Sequence, residues 1–184
     1  MLFRSRAPDG LPPGHQWDAC DTRLLAERVR VVGGRLVLPH SASYGVLALP
    51  PLQAVTPASL RVLRELVRQG AVVAGPPPSR TPSLADGPRG DEAVRKLAAE
   101  IWPAPGGPRS GTAAFATLAD ALAAAGIAPD FLVLTNSTPA PRIEWIHRRS
   151  DRADAWFVSN QRDRTETVDC SFRIAGHRPE LWHP

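Results

Sequence analysis

Up to about residue 138 the apolar positions come in short continuous runs or at helical spacing; beyond it they alternate with polar ones. The clearest pattern spans 44–75. Val46, Leu47, Ala48 and Leu49 form a continuous apolar run, the mark of a strand covered on both faces. Pro50-Pro51 ends it, because proline cannot donate to a ladder. Thr56 is placed to cap a helix, with Pro57 at the first helical position, where a missing N–H does no harm. Leu60, Leu63, Leu66 and Val67 recur at helical spacing, and Arg61, Arg64, Glu65 and Arg68 face the other way. Gly70 supplies a left-handed stop, and 71–74 is a second buried strand. Two parallel strands joined by a helix make a βαβ crossover, expected to be right-handed.

Upstream, residues 1–16 carry Pro8, Gly10, Pro12, Pro13 and Gly14 and read as an irregular lead-in. Residues 17–28 predict a short helix capped by Asp18 or Asp21. Apolar runs at 29–32 and 35–38 flank Gly33-Gly34, a strong hairpin signal. Downstream, the proline-rich stretch 76–90 is too long for a plain connection and is expected to be a loop. Asp91 is expected to cap a helix with Val94, Leu97, Ala98 and Ile101 on one face, stopped by Pro103. Residues 112–116 are a candidate third buried strand. Thr117 then caps a helix over 118–125, ended by Gly126. The sum is a small open α/β sheet with helices on its faces.

From 139 onward the runs 142–149 (RIEWIHRR), 153–161 (ADAWFVSNQ) and 165–176 (TETVDCSFRIAG) are β-rich and separated by short turns. In the second run Ala155, Phe157 and Ser159 are expected on one side, Trp156 and Val158 on the other. The pattern predicts an antiparallel meander, with 180–184 beginning another strand. A meander that stops there leaves an open edge, which native domains cover. The chain therefore reads as cut within a β domain.

A length of 184 residues suits one domain, or one and part of another, and 43% hydrophobic content is ordinary for a globular protein. No apolar run approaches the roughly 20 residues of a membrane span. The N-terminus lacks the apolar core of a signal peptide. Net charge is +4, and nearly all the positive charge is arginine, with Lys96 the only lysine. Arg148, Arg149, Arg152, Arg162 and Arg164 cluster, but Asp151, Asp154 and Asp163 interrupt them. That is not the same-sign stripe nucleic acid requires, so neither nucleic acid nor membrane is expected as a partner. Cys20 and Cys170 form no CxxC, which gives no zinc signal and assigns no disulfide. GxGxxG and Walker patterns are absent, so nucleotide binding is not expected.

The phrases WDACDTRLL (17–25), VVGGRLVLPHSASYGVLALP (31–50), TPASLRVLRELVRQGAVVAGPPPSRTPSL (56–84), ADALAAAGIAPDF (119–131), IEWIHRRSDRADAWFVSNQ (143–161) and ELWHP (180–184) are collinear over nearly the whole chain. Together they resemble glycoside hydrolase family 106, the α-L-rhamnosidases. The resemblance implies a region downstream of the catalytic barrel. Residues 17–138 would be a Rossmann-like, glutamine-amidotransferase-like domain, and 139–184 the opening of a β-sandwich. The family is inverting and calcium-dependent, with its catalytic carboxylates in the barrel. No catalytic residue therefore carries over, and no cofactor is expected in this chain. The implied partners are the barrel, on the same or a neighbouring chain, and rhamnose-containing glycans. The resemblance points to a secreted or periplasmic enzyme, with a cytoplasmic one still open. Residues 109–116 (RSGTAAFA) depart from the more apolar strand common in the family.

An amidotransferase-type nucleophile needs a cysteine on a sharp strand-to-helix turn with a histidine partner, and neither cysteine has that setting. Inverting hydrolysis needs two carboxyl groups about 6.5–9.5 Å apart. The clustered acids are Glu144, Asp151, Asp154, Asp18 and Asp21. Asp151 and Asp154 sit beside Arg149 and Arg152, where solvated ion pairs are the ordinary explanation. Asp18 and Asp21 are explained as helix caps. His147 and Arg148 end a strand and are candidates for sugar contact or a domain junction; Asn160 and Gln161 follow the next strand and are candidates of the same kind. Turn chemistry is the ordinary account of Asn160. Trp145 and Trp156 suit either a sugar platform or, more simply, a core. Gly75-Pro76-Pro77 closes the second strand at the carboxyl edge, where α/β ligands bind. The expected function is a non-catalytic accessory region of an α-L-rhamnosidase-like glycoside hydrolase. A free-standing carbohydrate- or protein-binding module is the alternative. A small α/β enzyme ranks below both for want of a nucleophile or metal cluster.

Overall fold

The computed structural model describes residues 7–39, 42–84, 87–102, 114–135 and 138–182. The chain divides into two compact units, Met1–Leu11 with Trp17–Ile127, and Pro12–Gln16 with Ala128–Pro184.

The first unit runs α1 (Thr22–Glu27), β1 (Arg30–Val32), β2 (Arg35–Val37), β3 (Ser43–Tyr44), β4 (Val46–Ala48), α2 (Pro57–Arg68), β5 (Val72–Ala74), α3 (Gly87–Ile101), β6 (Ala114–Phe115) and α4 (Leu118–Ala124). Strands β4, β5 and β6 form a parallel sheet in that order, with Leu47 opposite Val73 and Ala74 opposite Phe115. Thr56 caps α2 by accepting the Ser59 N–H at 3.2 Å, and Gly70 adopts φ +100° just beyond its end. Leu60 and Leu63 pack with Val73 of β5 and with Val94, Leu97 and Ile101 of α3. The next residue of β5, Ala74, packs with Leu118, Ala121 and Leu122 of α4. Successive strand residues point to opposite faces, so helices cover both sides of the sheet and the unit is Rossmann-like α/β. Leu66 turns instead toward Val29, Leu36 and Ala71, beneath the hairpin sheet β1-β2-β3. Gly33 and Gly34 take φ +56° and +76°, the two positive values a tight hairpin of this kind requires.

Some local expectations shift. Helix α1 is shorter than 17–28 because Asp21 caps it, its carboxylate accepting the Leu24 N–H at 2.7 Å. Asp18 caps nothing; it accepts the Tyr44 hydroxyl at 2.6 Å, which pushes that phenol up to about 12. Helix α3 begins at Gly87 rather than after Asp91, since Pro88 is tolerated in a first turn whose N–H groups have no partner. Asp91 lies inside the helix and accepts the Thr81 N–H at 2.8 Å, tying down the preceding loop. The expected stop at Pro103 and residues 112–113 of the third strand lie outside the described residues, as does the end of the 180–184 run.

The second unit holds β7 (Phe131–Leu134), β8 (Ile143–Arg149), β9 (Asp154–Asn160) and β10 (Asp169–Phe172). The expected meander is corrected here. Strand β10 pairs antiparallel with β7, from Asp169 opposite Leu134 to Phe172 opposite Phe131, and not with β9. Strands β8 and β9 form their own antiparallel ribbon, Ile143 opposite Asn160 and Arg149 opposite Asp154. Because β7 is recruited by β10, this unit starts near 128 rather than at 139. Residues 12–16 join it through the Asp130 N–H, which donates to the Gly14 carbonyl at 2.7 Å. Gly14 has φ +82°, and a Cβ there would lie 2.5 Å from the Phe131 carbonyl oxygen, so only glycine fits.

The β8–β9 ribbon has an inner face of Trp145, His147, Arg149, Asp154 and Trp156, and an outer face that includes Ile146 and Phe157. The inner aromatics meet the other ribbon: Phe131 lies 5.3 Å from Trp145 and 5.2 Å from Phe172, and Phe172 lies 5.3 Å from Trp156. The two ribbons thus pack face to face, the layering of a β-sandwich. This packing is thinly covered. Phe157 is 63% exposed, and among the described residues Phe131 is the sole fully buried apolar side chain of this unit. Amide hydrogens of 143–160 should therefore exchange faster than those of 46–74, which exchange measurement by mass spectrometry will read. Equal, slow exchange in both stretches would show that the second unit is better covered than its burial indicates.

Candidate functional site

The densest polar cluster lies between the two ribbons of the second unit. Asp130 immediately precedes β7, and Arg173 follows β10. His147 is mid-strand on β8, Asp154 opens β9, and Arg149 is its cross-strand partner. The His147 Nδ1 lies 2.7 Å from Asp130 Oδ2, and its Nε2 lies 2.8 Å from Asp154 Oδ1. Ionised carboxylates only accept, so both ring nitrogens donate and the imidazolium is the form that satisfies both contacts. Each carboxylate also takes an arginine: Arg149 Nε donates to Asp154 Oδ1 at 2.7 Å, and Arg173 donates to Asp130 Oδ1 at 3.0 Å. The Arg149 hydrogen bond above all, opposed by desolvation and helped by His147, holds the Asp154 carboxyl below its ordinary value. Trp156, opposite His147 in register, stacks on the imidazole at 4.0 Å with planes 11° apart, a geometry that favours a cationic ring. Its indole N–H is buried and finds no acceptor among the described residues.

Chemically this cluster is a clamp. The two carboxylates face an imidazole rather than a cavity, and the three side chains are only 10–13% exposed. Both ring nitrogens are engaged, so the histidine has none left to take a proton from a substrate. Among the described residues no group of three or more His, Cys, Asp or Glu side chains is arranged to hold a metal ion. The cluster also fails the chemistry of calcium, which wants roughly six to eight oxygens; here the carboxylate oxygens are directed at N–H donors.

The four residues singled out from sequence do not converge. His147 is in the clamp. Arg148, its neighbour, points to the opposite face and donates to the His147 carbonyl at 3.0 Å. Asn160 closes a turn: its Nδ2 donates to the Arg164 carbonyl at 2.7 Å, and its Oδ1 accepts the Arg162 N–H at 3.0 Å. Gln161 donates its backbone N–H to the Arg142 carbonyl at 2.8 Å and its amide to Ser159 Oγ at 2.9 Å. It lines an open cleft of about 430 Å³ with Arg142, Arg162, Asp163 and Arg164. Asp151 is exposed in its turn, but Asp154 is not the solvated acid its sequence position suggested, being 13% exposed and bonded to two partners. Trp145 and Trp156 pack inward as core. Burial pushes the thiols of Cys20 and Cys170 up, away from thiolate character. Asp130 and Arg173, the members of the clamp that sequence reasoning missed, stand far from the β8–β9 run and carry no local pattern.

The family profile described as alpha-L-rhamnosidase, glycoside hydrolase 106, matches residues 1–184. A relative from Formosa agariphila, provisionally named a beta-glucuronidase, is 28% identical over 169 residues, which is 92% of this chain and 14% of that protein. The solved structure of a rhamnosidase from Novosphingobium sp. PP1Y aligns with a TM-score of 0.79 at 31% identity, over 91% of this chain and 16% of that one. The chain thus spans only 14–16% of the length of these relatives. With every segment of the sequence matched in order, the chain belongs to the alpha-L-rhamnosidase family, glycoside hydrolase 106.

Proposed function

We propose that this chain is a non-catalytic accessory region of an inverting α-L-rhamnosidase. In this reading it buttresses a catalytic barrel on the same or a neighbouring chain and lends a loop to a cleft that receives rhamnose-containing glycans. The observation that carries it is the small share of its relatives that it matches, together with acids engaged in local bonds. Asp130 and Asp154 are held by histidine and arginine, and neither cysteine is poised as a nucleophile. In the whole enzyme a barrel acid protonates the leaving glycosidic oxygen while a barrel base activates water on the opposite face of the sugar. Calcium would be held by residues of the whole enzyme other than those described here, whose donor set does not fit it.

The test is direct. The purified 184-residue chain should not release aglycone from an aryl α-L-rhamnoside, with or without added calcium. Turnover that survives purification and disappears in Glu144→Gln or Asp154→Asn would overturn the accessory reading.

A further inference from the structure

The turn after β9 and the residue that precedes β8 bring three arginines to one open cleft. Asn160 folds the turn, and the Gln161 N–H to Arg142 carbonyl bond fixes it against the start of β8. Arg162 is anchored by donating to the Ala140 carbonyl at 2.8 Å. Arg164 is anchored by Glu166, whose carboxylate accepts from its Nε at 2.7 Å and also lies 3.8 Å from Arg162 Nε. Glu166 is 11% exposed, so a largely buried acid holds both arginines in place. A guanidinium carries five N–H donors, and one or two such bonds leave several unused on each. Arg142, across the cleft, makes no side-chain hydrogen bond or ion pair among the described residues. Against three positive groups stand Asp163 and Glu166, and Glu166 is already engaged.

We infer that this cleft binds a saccharide bearing an oxyanion, a carboxylate or a sulfate ester. Guanidinium forks match planar and tetrahedral oxyanions bidentately and supply the charged half of the recognition. The neutral half comes from the same rim: the Gln161 carbonyl oxygen and the Asp163 carboxylate are acceptors for sugar hydroxyls. A cleft made for a bare ion would have no use for a carboxylate at its edge, which repels the ion but suits a ring that carries both kinds of group. Its open form suits an internal residue of a longer glycan. The anion recognition rests on this geometry alone; that the ligand is a saccharide fits the glycan-processing role proposed above.

Titration of the isotopically labelled 184-residue chain, followed by backbone resonances, tests this in four arms: a galacturonate oligosaccharide, a sulfated oligosaccharide, a neutral oligosaccharide of equal length, and sodium sulfate. Either charged oligosaccharide, or both, should shift residues 161–164 saturably, and which one does so identifies the anion. The neutral one should not. Arg142→Gln should weaken binding about tenfold, and Arg142→Gln with Arg162→Gln should abolish it, as expected for lost charge-assisted hydrogen bonds. Unchanged dispersion of the remaining resonances shows that these variants fold. Binding of the neutral oligosaccharide as tight as the charged ones, binding of sulfate ion only, no binding in any arm, or full binding by the double variant would each overturn the inference. The aryl rhamnoside assay is independent of these outcomes, so failure here leaves the accessory reading intact.

Discussion

Replacing His147 with alanine should destabilise the second unit by roughly 3 kcal/mol near neutral pH, the scale of removing one partner from a largely buried charge pair. The loss has three parts. Two hydrogen bonds disappear, the Trp156 indole loses the ring stacked on it, and the Asp130 and Asp154 carboxylates are left facing each other across the gap. Arg173 holds the other oxygen of Asp130, and Arg149 keeps its bond to the Asp154 oxygen that His147 also used, so each acid is left with one arginine partner in place of two cationic ones. The pH dependence separates this account from simple loss of packing. In the native protein the folded-state value of Asp154 lies below its unfolded value of roughly 3.9, so its stabilisation is present above that value and fades as pH falls through the folded one. In the alanine variant Arg149 still holds the Asp154 carboxyl low, but the part of that lowering supplied by His147 is gone. Protonating Asp154 removes the same contribution from the native protein, so the gap in stability between variant and native protein should narrow below about pH 4. Denaturant melts across pH 3–8, read at the tryptophans, measure this. A deficit that stays constant across that range would mean that His147 contributes packing alone.

How much of this was legible beforehand depends on the reach of each interaction. The βαβ unit rests on local signals: a continuous apolar run, a threonine–proline helix start, leucines at helical spacing and a glycine stop. Each is resolved within a few residues, and all four hold in the structure. Asp91 misled because an acid before an apolar helical pattern has the form of a cap, whereas the helix starts earlier and the acid serves Thr81 instead. The meander failed for a non-local reason. Phe131–Leu134 is four apolar residues without a period, and nothing near them announces that their partner lies at 169–172. The clamp was half visible. His147 stood out, but its meaning depends on Asp130 and on the facing of Asp154, both set by the pairing of ribbons. Arg149 and Asp154 flank the turn as an inward-facing cross-strand pair, which takes Asp154 out of the solvated turn.

In the first unit, Leu63→Ala should cost about 2–5 kcal/mol and fall in the upper part of that range, with Leu66→Ala lower in it. Both leucines are 5% exposed, so exposure does not rank them. What does is the capacity of the surroundings to collapse. Leu63 sits where α2, α3 and β5 converge, among Leu60, Val73, Val94, Leu97 and Ile101. A void there is walled by three elements, and closing it would require a helix to move against a hydrogen-bonded parallel sheet. Leu66 sits under the hairpin with Val29, Leu36 and Ala71. That roof is a short three-stranded sheet with an exposed outer side, free to settle by a fraction of an ångström and recover part of the lost contact. Arg64, between them on the opposite face, pairs with Glu100 at 2.7 Å, but the two side chains are 46% and 41% exposed. Arg64→Ala should therefore change stability by no more than about 1 kcal/mol. Equilibrium denaturation of the three variants gives the order Leu63, Leu66, Arg64. Leu66 above Leu63 would mean that the hairpin is the rigid wall of this core. Arg64 above either would mean that the faces of α2 are reversed.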